Sequence, residues 1–170
     1  MKLSTAVACL AAGAASAAVL TRSEDYKVPG DNPLQYCPAR LTHEFIDIQS
    51  VDLAPNPPQA AQPLVIKATG LVHKTIQEGA TFDLLVKWNN IIDLVKMTKG
   101  DFCSNIGRVD LKCPIEPGKM TIEKTVDMPK MIPNGEFFVQ AEVKSADGAL
   151  ITCLNGTVSY PSNGFFNIEL

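Results

Sequence analysis

The side chains of this sequence that could do chemistry are two histidines, His43 and His73, a set of cysteines and a scatter of carboxylates. Nucleophilic catalysis needs a serine or cysteine beside a base, and neither histidine has such a neighbour in a nucleophile motif. No G-x-S-x-G, H-E-x-x-H or glycine-rich phosphate loop occurs. Glu44, Asp47, Asp52 and Asp83 fall on positions that alternate outward along expected strands, where solvated faces account for them. A zinc site would need paired ligands, yet there is no C-x-x-C pair and the histidines share no ligand spacing with the cysteines. The chain is therefore read as a non-enzyme without metal or cofactor.

The cysteines suit a different use. Cys9 lies in a leader, which leaves Cys37, Cys103, Cys113 and Cys153, an even number that fits two disulfides in an oxidising compartment. Three connectivities are open. Cys103 and Cys113 bracket a short segment and Cys37 and Cys153 lie near the two ends of the domain, which favours the nested pairing. Asn155-Gly156-Thr157 is the single glycosylation acceptor motif.

These residues must be held by something. The 170 residues are 46% hydrophobic and 19% charged, enough to bury one core, and 12 Pro with 11 Gly disfavour a helical bundle. Fifteen basic against 18 acidic groups give a net charge of −3 with no basic cluster, so nucleic acid is excluded as a partner. Lys2, the apolar run Leu3 to Leu10 and Ala15-Ser16-Ala17 read as a secretory signal over residues 1–17. Residues 18–36 are polar and turn-rich, a propeptide or a loose arm, and residues 37–170 form the domain. No segment after the leader reaches the roughly 18 apolar residues of a membrane span.

Period-two alternation marks the strands. Phe45 to Leu53 ends at Pro55-Asn56-Pro57-Pro58, and Leu64, Ile66 and Ala68 lead through Gly70 to Val72 to Ile76. Phe82, Leu84, Val86 and Trp88 share one face. Met120, Ile122, Lys124, Val126 and Met128 share another, stopped by Pro129 and Pro133. Phe137 to Lys144 and Leu150 to Val158 are joined by the hairpin signal Asp147-Gly148. About seven strands imply an all-β sandwich. Large apolar residues are in surplus, among them Ile91, Ile92, Leu94, Val95, Met97, Met131 and Ile132 in segments read as irregular, where loops are usually polar. They either fill the core or line the mouth of a cavity suited to an acyl or sterol ligand.

The stretches VDLAPNPPQAAQPLVIKATG, VKWNNIIDLVKMTKGDFC and CPIEPGKMTIEKTVDMPKMIPNGEFFVQAEVKSADGALITC resemble the ML lipid-recognition domain family, in particular its fungal phosphatidylglycerol/phosphatidylinositol transfer branch. The resemblance runs from about Asn32 to Tyr160 and rests on P-x-P-P, C-P, I-P-x-G and D-G-x-x-x-x-C in order. It implies an immunoglobulin-like β-sandwich without catalytic residues, one lipid between splayed sheets, and Cys37–Cys153 and Cys103–Cys113 bridges. The implied ligand is a phospholipid, the alternatives being a sterol or a cavity-free interaction module. The implied setting is the secretory pathway, either secreted or in the vacuolar lumen, as a monomer touching membranes transiently.

On that reading the pocket is lined by Phe45, Ile48, Leu64, Ile66, Phe82, Leu84, Val86, Ile122, Val126, Phe137, Val139 and Val143. Alternation does not choose between Phe137 and Phe138. The entrance falls at Ile91, Ile92, Met131 and Ile132, beside the segment MPKMIP, with Lys96, Lys99, Lys119 or Lys130 as rim cations. The chain departs from the family pattern at Ala61, where glycine is frequent, and at Trp88-Asn89-Asn90 in place of Tyr-Gly. It also lacks one disulfide of the animal Niemann-Pick type C members, which leans towards phospholipid over sterol.

Overall fold

Strands alternating every second residue must bury their apolar face against a second layer, and here that layer is another sheet. The computed structural model describes residues 26–38 and 43–160; the leader expected over residues 1–17 lies outside them. The strands are β1 (Leu34–Tyr36), β2 (Ile46–Ala54), β3 (Pro63–Val72), β4 (Thr81–Trp88), β5 (Ile92–Asp101), β6 (Gly118–Asp127), β7 (Gly135–Lys144) and β8 (Leu150–Tyr160), with a short α-helix, α1 (Phe102–Ile106), and a 3₁₀ turn at Gly107–Val109 after β5. One sheet runs β1-β8-β7-β4-β5 and the other β2-β3-β6, all pairs antiparallel.

Register fixes the inward faces. In the larger sheet Phe82, Leu84, Val86 and Trp88 stand opposite Val143, Ala141, Val139 and Phe137. Phe137 is therefore the inward member of its pair, while Phe138 faces Lys87 on the other side. In the smaller sheet Leu64, Ile66 and Ala68 stand opposite Val126, Lys124 and Ile122.

Two expectations are corrected. Residues 92–101, read as an irregular apolar segment, are an edge strand. Its turn is Asn89-Asn90, with φ of 50° and 57° and the Ile91 N–H donating to the Trp88 carbonyl at 3.1 Å. Positive φ at both central residues is the type I′ hairpin geometry, which asparagine tolerates. The described part of the expected arm, residues 26–36, is packed rather than loose. Val28 is fully buried, and the Val51 and Leu53 N–H groups donate to the Pro29 and Asp31 carbonyls at 2.8 and 3.0 Å. The arm thus covers the outer edge of β2, an edge that would otherwise offer unpaired groups. Gly30 is required there, since its φ is +105° and a Cβ would lie 2.2 Å from the Val51 carbonyl oxygen.

The core occupies one end and one edge. Phe45, Ile46, Val72, Ile76, Ala80, Ile106, Ile115 and Ile151 close the end beneath α1. Val28, Tyr36 and Val51, joined by Ile48, Leu53, Ala68 and Leu154, fill the edge where β2 meets β1 and β8. The Cys37–Cys153 bridge ties β1 to β8, and Cys103–Cys113 closes the α1 loop.

Candidate functional site

With one end and one edge packed, the other end and the other edge are left open. At the open end a cavity of about 360 Å³ lies under the β6–β7 connection. Val86 of β4, Phe137 and Val139 of β7 and Val158 and Tyr160 of β8 form its floor, and Pro58, Met128, Pro129, Met131, Ile132 and Pro133 form its roof. Proline suits such a wall, because it adds an apolar ring and removes a backbone donor that would need a partner. Phe137 meets Tyr160 edge-on, with centroids 5.5 Å apart at 88°. Burial holds the Tyr160 phenol above its ordinary pKa.

The roof is fastened at both ends. The Trp88 indole N–H donates to the Asn134 carbonyl at 2.9 Å, and the Ala61 N–H donates to the Pro129 carbonyl at 2.9 Å. Gly135, at φ +133°, lets the chain pass where a Cβ would lie 2.4 Å from the Trp88 indole nitrogen. Ala61, noted in the sequence as standing where glycine is frequent, has φ 58°. Between these anchors Met131 is 88% exposed.

The open edge lies between β5 and β6, the strands furthest from the packed β1–β2 side; they belong to different sheets and do not pair. Their apolar side chains stay wet: Ile92, Val95 and Met97 on β5 and Val126 on β6 are 39–46% exposed, and Ile91 at the hairpin tip 83%. Exposed apolar surface of this extent usually marks an interaction or ligand-binding site.

Of the residues singled out in the sequence, Val86, Met131, Ile132, Phe137 and Val139 come together in the cavity wall. Leu64, Ile66, Phe82, Leu84, Ile122 and Val126 belong to the inward-facing registers without lining it. Phe45 and Val143 are instead in the packed end, and Ile48 packs beside Val28, Tyr36 and Val51. Ile91 and Ile92 flank the open edge rather than the roof. In the sequence Pro58, Pro129 and Pro133 read as strand stops, the last two inside the entrance segment MPKMIP, and Met128 falls on an apolar strand face, whereas nothing marks Val158 and Tyr160 as lining. Val158 could have been found from its register, opposite Phe137.

The polar candidates lie elsewhere. Lys96 and Lys119 stand opposite Leu85 and Leu71 on the outer faces, and the Lys99 backbone N–H donates to Asp83 at 2.8 Å. That bond first, and then Lys144, hold the Asp83 carboxyl below its ordinary pKa. Lys130 is exposed beside Met131. His43 and His73 both approach Asp47, at 2.5 and 3.7 Å, on the outer face of β2. Among the described residues no group of three or more His, Cys, Asp or Glu side chains could hold a metal ion. Asn155 is half-buried in mid-strand, with its amide 3.7 Å from the Cys37 sulfur.

Residues 31–160 match the ML domain family. A phosphatidylglycerol/phosphatidylinositol transfer protein of Pyricularia oryzae is 42% identical over 171 residues, covering 96% of this chain and 95% of the relative. The protein of the same name from Aspergillus oryzae is 47% identical over 127 residues, covering 75% and 71%. Among solved structures, a Niemann-Pick type C2 protein of the Japanese carpenter ant superposes with a TM-score of 0.52 at 10% identity, covering 74% of this chain and 97% of that one.

Proposed function

Because the chain belongs to the ML-domain family, we propose that it takes the acyl chains of a glycerophospholipid into the cavity and carries the lipid between membranes. The observation that carries this reading is the apolar cavity of about 360 Å³ beneath a proline-rich roof. That volume is near the lower end of the ~300–1000 Å³ of ligand pockets. A two-tailed lipid would therefore also use the wet apolar flank between β5 and β6. Each buried methylene contributes about 0.8 kcal/mol, so ten give about 8 kcal/mol before ordering costs.

In this reading Met131 and Ile132 form an apolar rim that meets the bilayer, with Lys130 beside it to favour an anionic surface. The two disulfides support a setting in the secretory pathway, outside the cell or in a vacuolar lumen. The names of the fungal relatives support phosphatidylglycerol or phosphatidylinositol as cargo.

The test is transfer of fluorescent phosphatidylglycerol from donor to acceptor vesicles, with and without the protein. Catalytic amounts should accelerate transfer well above the spontaneous rate. A rate equal to the protein-free control, or acceleration for sterol alone, would contradict the proposal.

A further inference from the structure

β6 carries one side chain that does not fit its neighbours. Met120, Ile122, Val126 and Met128 share the inward face of the strand, and Lys124 stands among them, opposite Ile66 of β3. The neighbouring Glu123 faces the other way and pairs with Lys67 at 3.2 Å, which confirms the alternation. Lys67, Lys74, Lys87 and Lys144 each have a carboxylate within 4 Å, whereas Lys124, like the exposed Lys96, Lys112, Lys119 and Lys130, has none among the described residues. On the inward faces of the paired strands it is the one charged side chain among those residues. It is half-buried, on the side of the sandwich where Val126 and the β5 side chains Val95 and Met97 remain wet.

A cation held against apolar surface loses hydration and gains most from an anion that brings its own apolar body. A phospholipid has that shape: a phosphodiester beside long tails. The strand rise of about 3.3 Å per residue puts Lys124 about 13 Å along β6 from Met128 of the cavity wall. Tails leaving a phosphate at Lys124 would then pass over Val126 towards the cavity. We infer that the Lys124 ammonium binds the phosphodiester of the cargo at the β5–β6 opening and so favours phosphate-bearing lipids over uncharged lipids with the same tails. This rests on the lipid-carrier reading above.

An inward charge on an edge strand can also serve to discourage pairing with another chain. The two roles separate by the sign of the charge, since Lys124→Glu keeps a charge at the edge and repels a phosphate. The experiment measures equilibrium binding of phosphatidylglycerol and of diacylglycerol, which lacks the phosphate, bearing the same fluorescent tail, for the parent and for Lys124→Gln, Lys124→Glu and Lys124→Arg, with folding checked by circular dichroism.

The parent should prefer phosphatidylglycerol. Lys124→Gln should lower the ratio of the two affinities about tenfold, as for loss of one charged hydrogen bond; Lys124→Glu should lower it further, and Lys124→Arg should keep it. An unchanged ratio in the Gln and Glu variants would overturn the inference while leaving lipid carriage intact. A parent that binds neither lipid would remove the carrier reading itself. Palmitate that displaced phosphatidylglycerol at equal concentration, and only when Lys124 is present, would assign the site to a carboxylate and overturn the phosphodiester.

Discussion

Trp88 and Asn134 lie 46 residues apart in sequence, and the indole N–H of the first meets the backbone carbonyl of the second at 2.9 Å. This bond pins the cavity roof to the end of β4, at the point where Gly135 permits the close approach. Trp88→Phe keeps an aromatic ring and removes the donor. It should cost about 0.5–1.5 kcal/mol in urea unfolding and speed release of bound lipid, read from the decay of a fluorescent ligand after mixing with excess vesicles. An unaltered release rate would show that the roof is not held there.

The two disulfides should contribute unequally. Cys37–Cys153 spans a sequence separation of 116 and Cys103–Cys113 one of 10. Chain-entropy arguments give about 5 kcal/mol for the first and about 3 kcal/mol for the second. Paired Cys→Ala variants, compared by denaturant unfolding, should fall in that order.

How much of this was readable in advance depended on whether a local pattern had one physical reading. Phe82 to Trp88 and Phe137 to Lys144 alternate cleanly, and their pairing follows. β5 did not declare itself, because an edge strand beside an opening is apolar on a wet face and its turn is Asn-Asn rather than Asn-Gly. Proline misled in another way. Pro129 and Pro133 end strands, as read, but the same rings also wall the cavity, a role set by the folding back of the 128–134 segment and invisible to alternation. Phe45, Ile48 and Val143 do face inward; only the tertiary arrangement decides that their end and edge are filled while the other end is not.

Acid should weaken the β4–β5–β7 junction through Asp83. Its folded pKa lies below the ordinary 3.8, chiefly through the Lys99 N–H and then Lys144. The stabilisation is therefore complete above the ordinary value and is lost as pH falls through the depressed folded value. Asp83→Asn lacks this titration and should show a shallower drop in Tm between pH 6 and pH 2 than the parent. Lys144, whose pKa is raised first by Glu142 and then by Asp83, acts at the other extreme. Its share persists below 10.5 and is lost as pH rises through the folded value.

The exposed rim should matter for rate more than for affinity. Met131→Asp places a charge at a position 88% exposed, so folding should be unaffected. Transfer between anionic vesicles should slow by about tenfold or more, since a carboxylate at the bilayer surface opposes docking. Equilibrium loading in detergent-dispersed lipid serves as the comparison. Equal transfer by variant and parent would remove the rim from the account.

If the cavity under the β6–β7 connection holds the lipid, native mass spectrometry of the purified protein should show it bound, with Val139→Trp as the paired sample. Val139 is part of the cavity floor, so the added ring occupies space that tails would fill, whereas in a packed core it would cost about 1–3 kcal/mol. The expected result is one phospholipid per parent chain, an unloaded Val139→Trp variant and closely similar Tm values for the ligand-free forms. A parent with no bound lipid, or a variant loaded as fully as the parent, would contradict it.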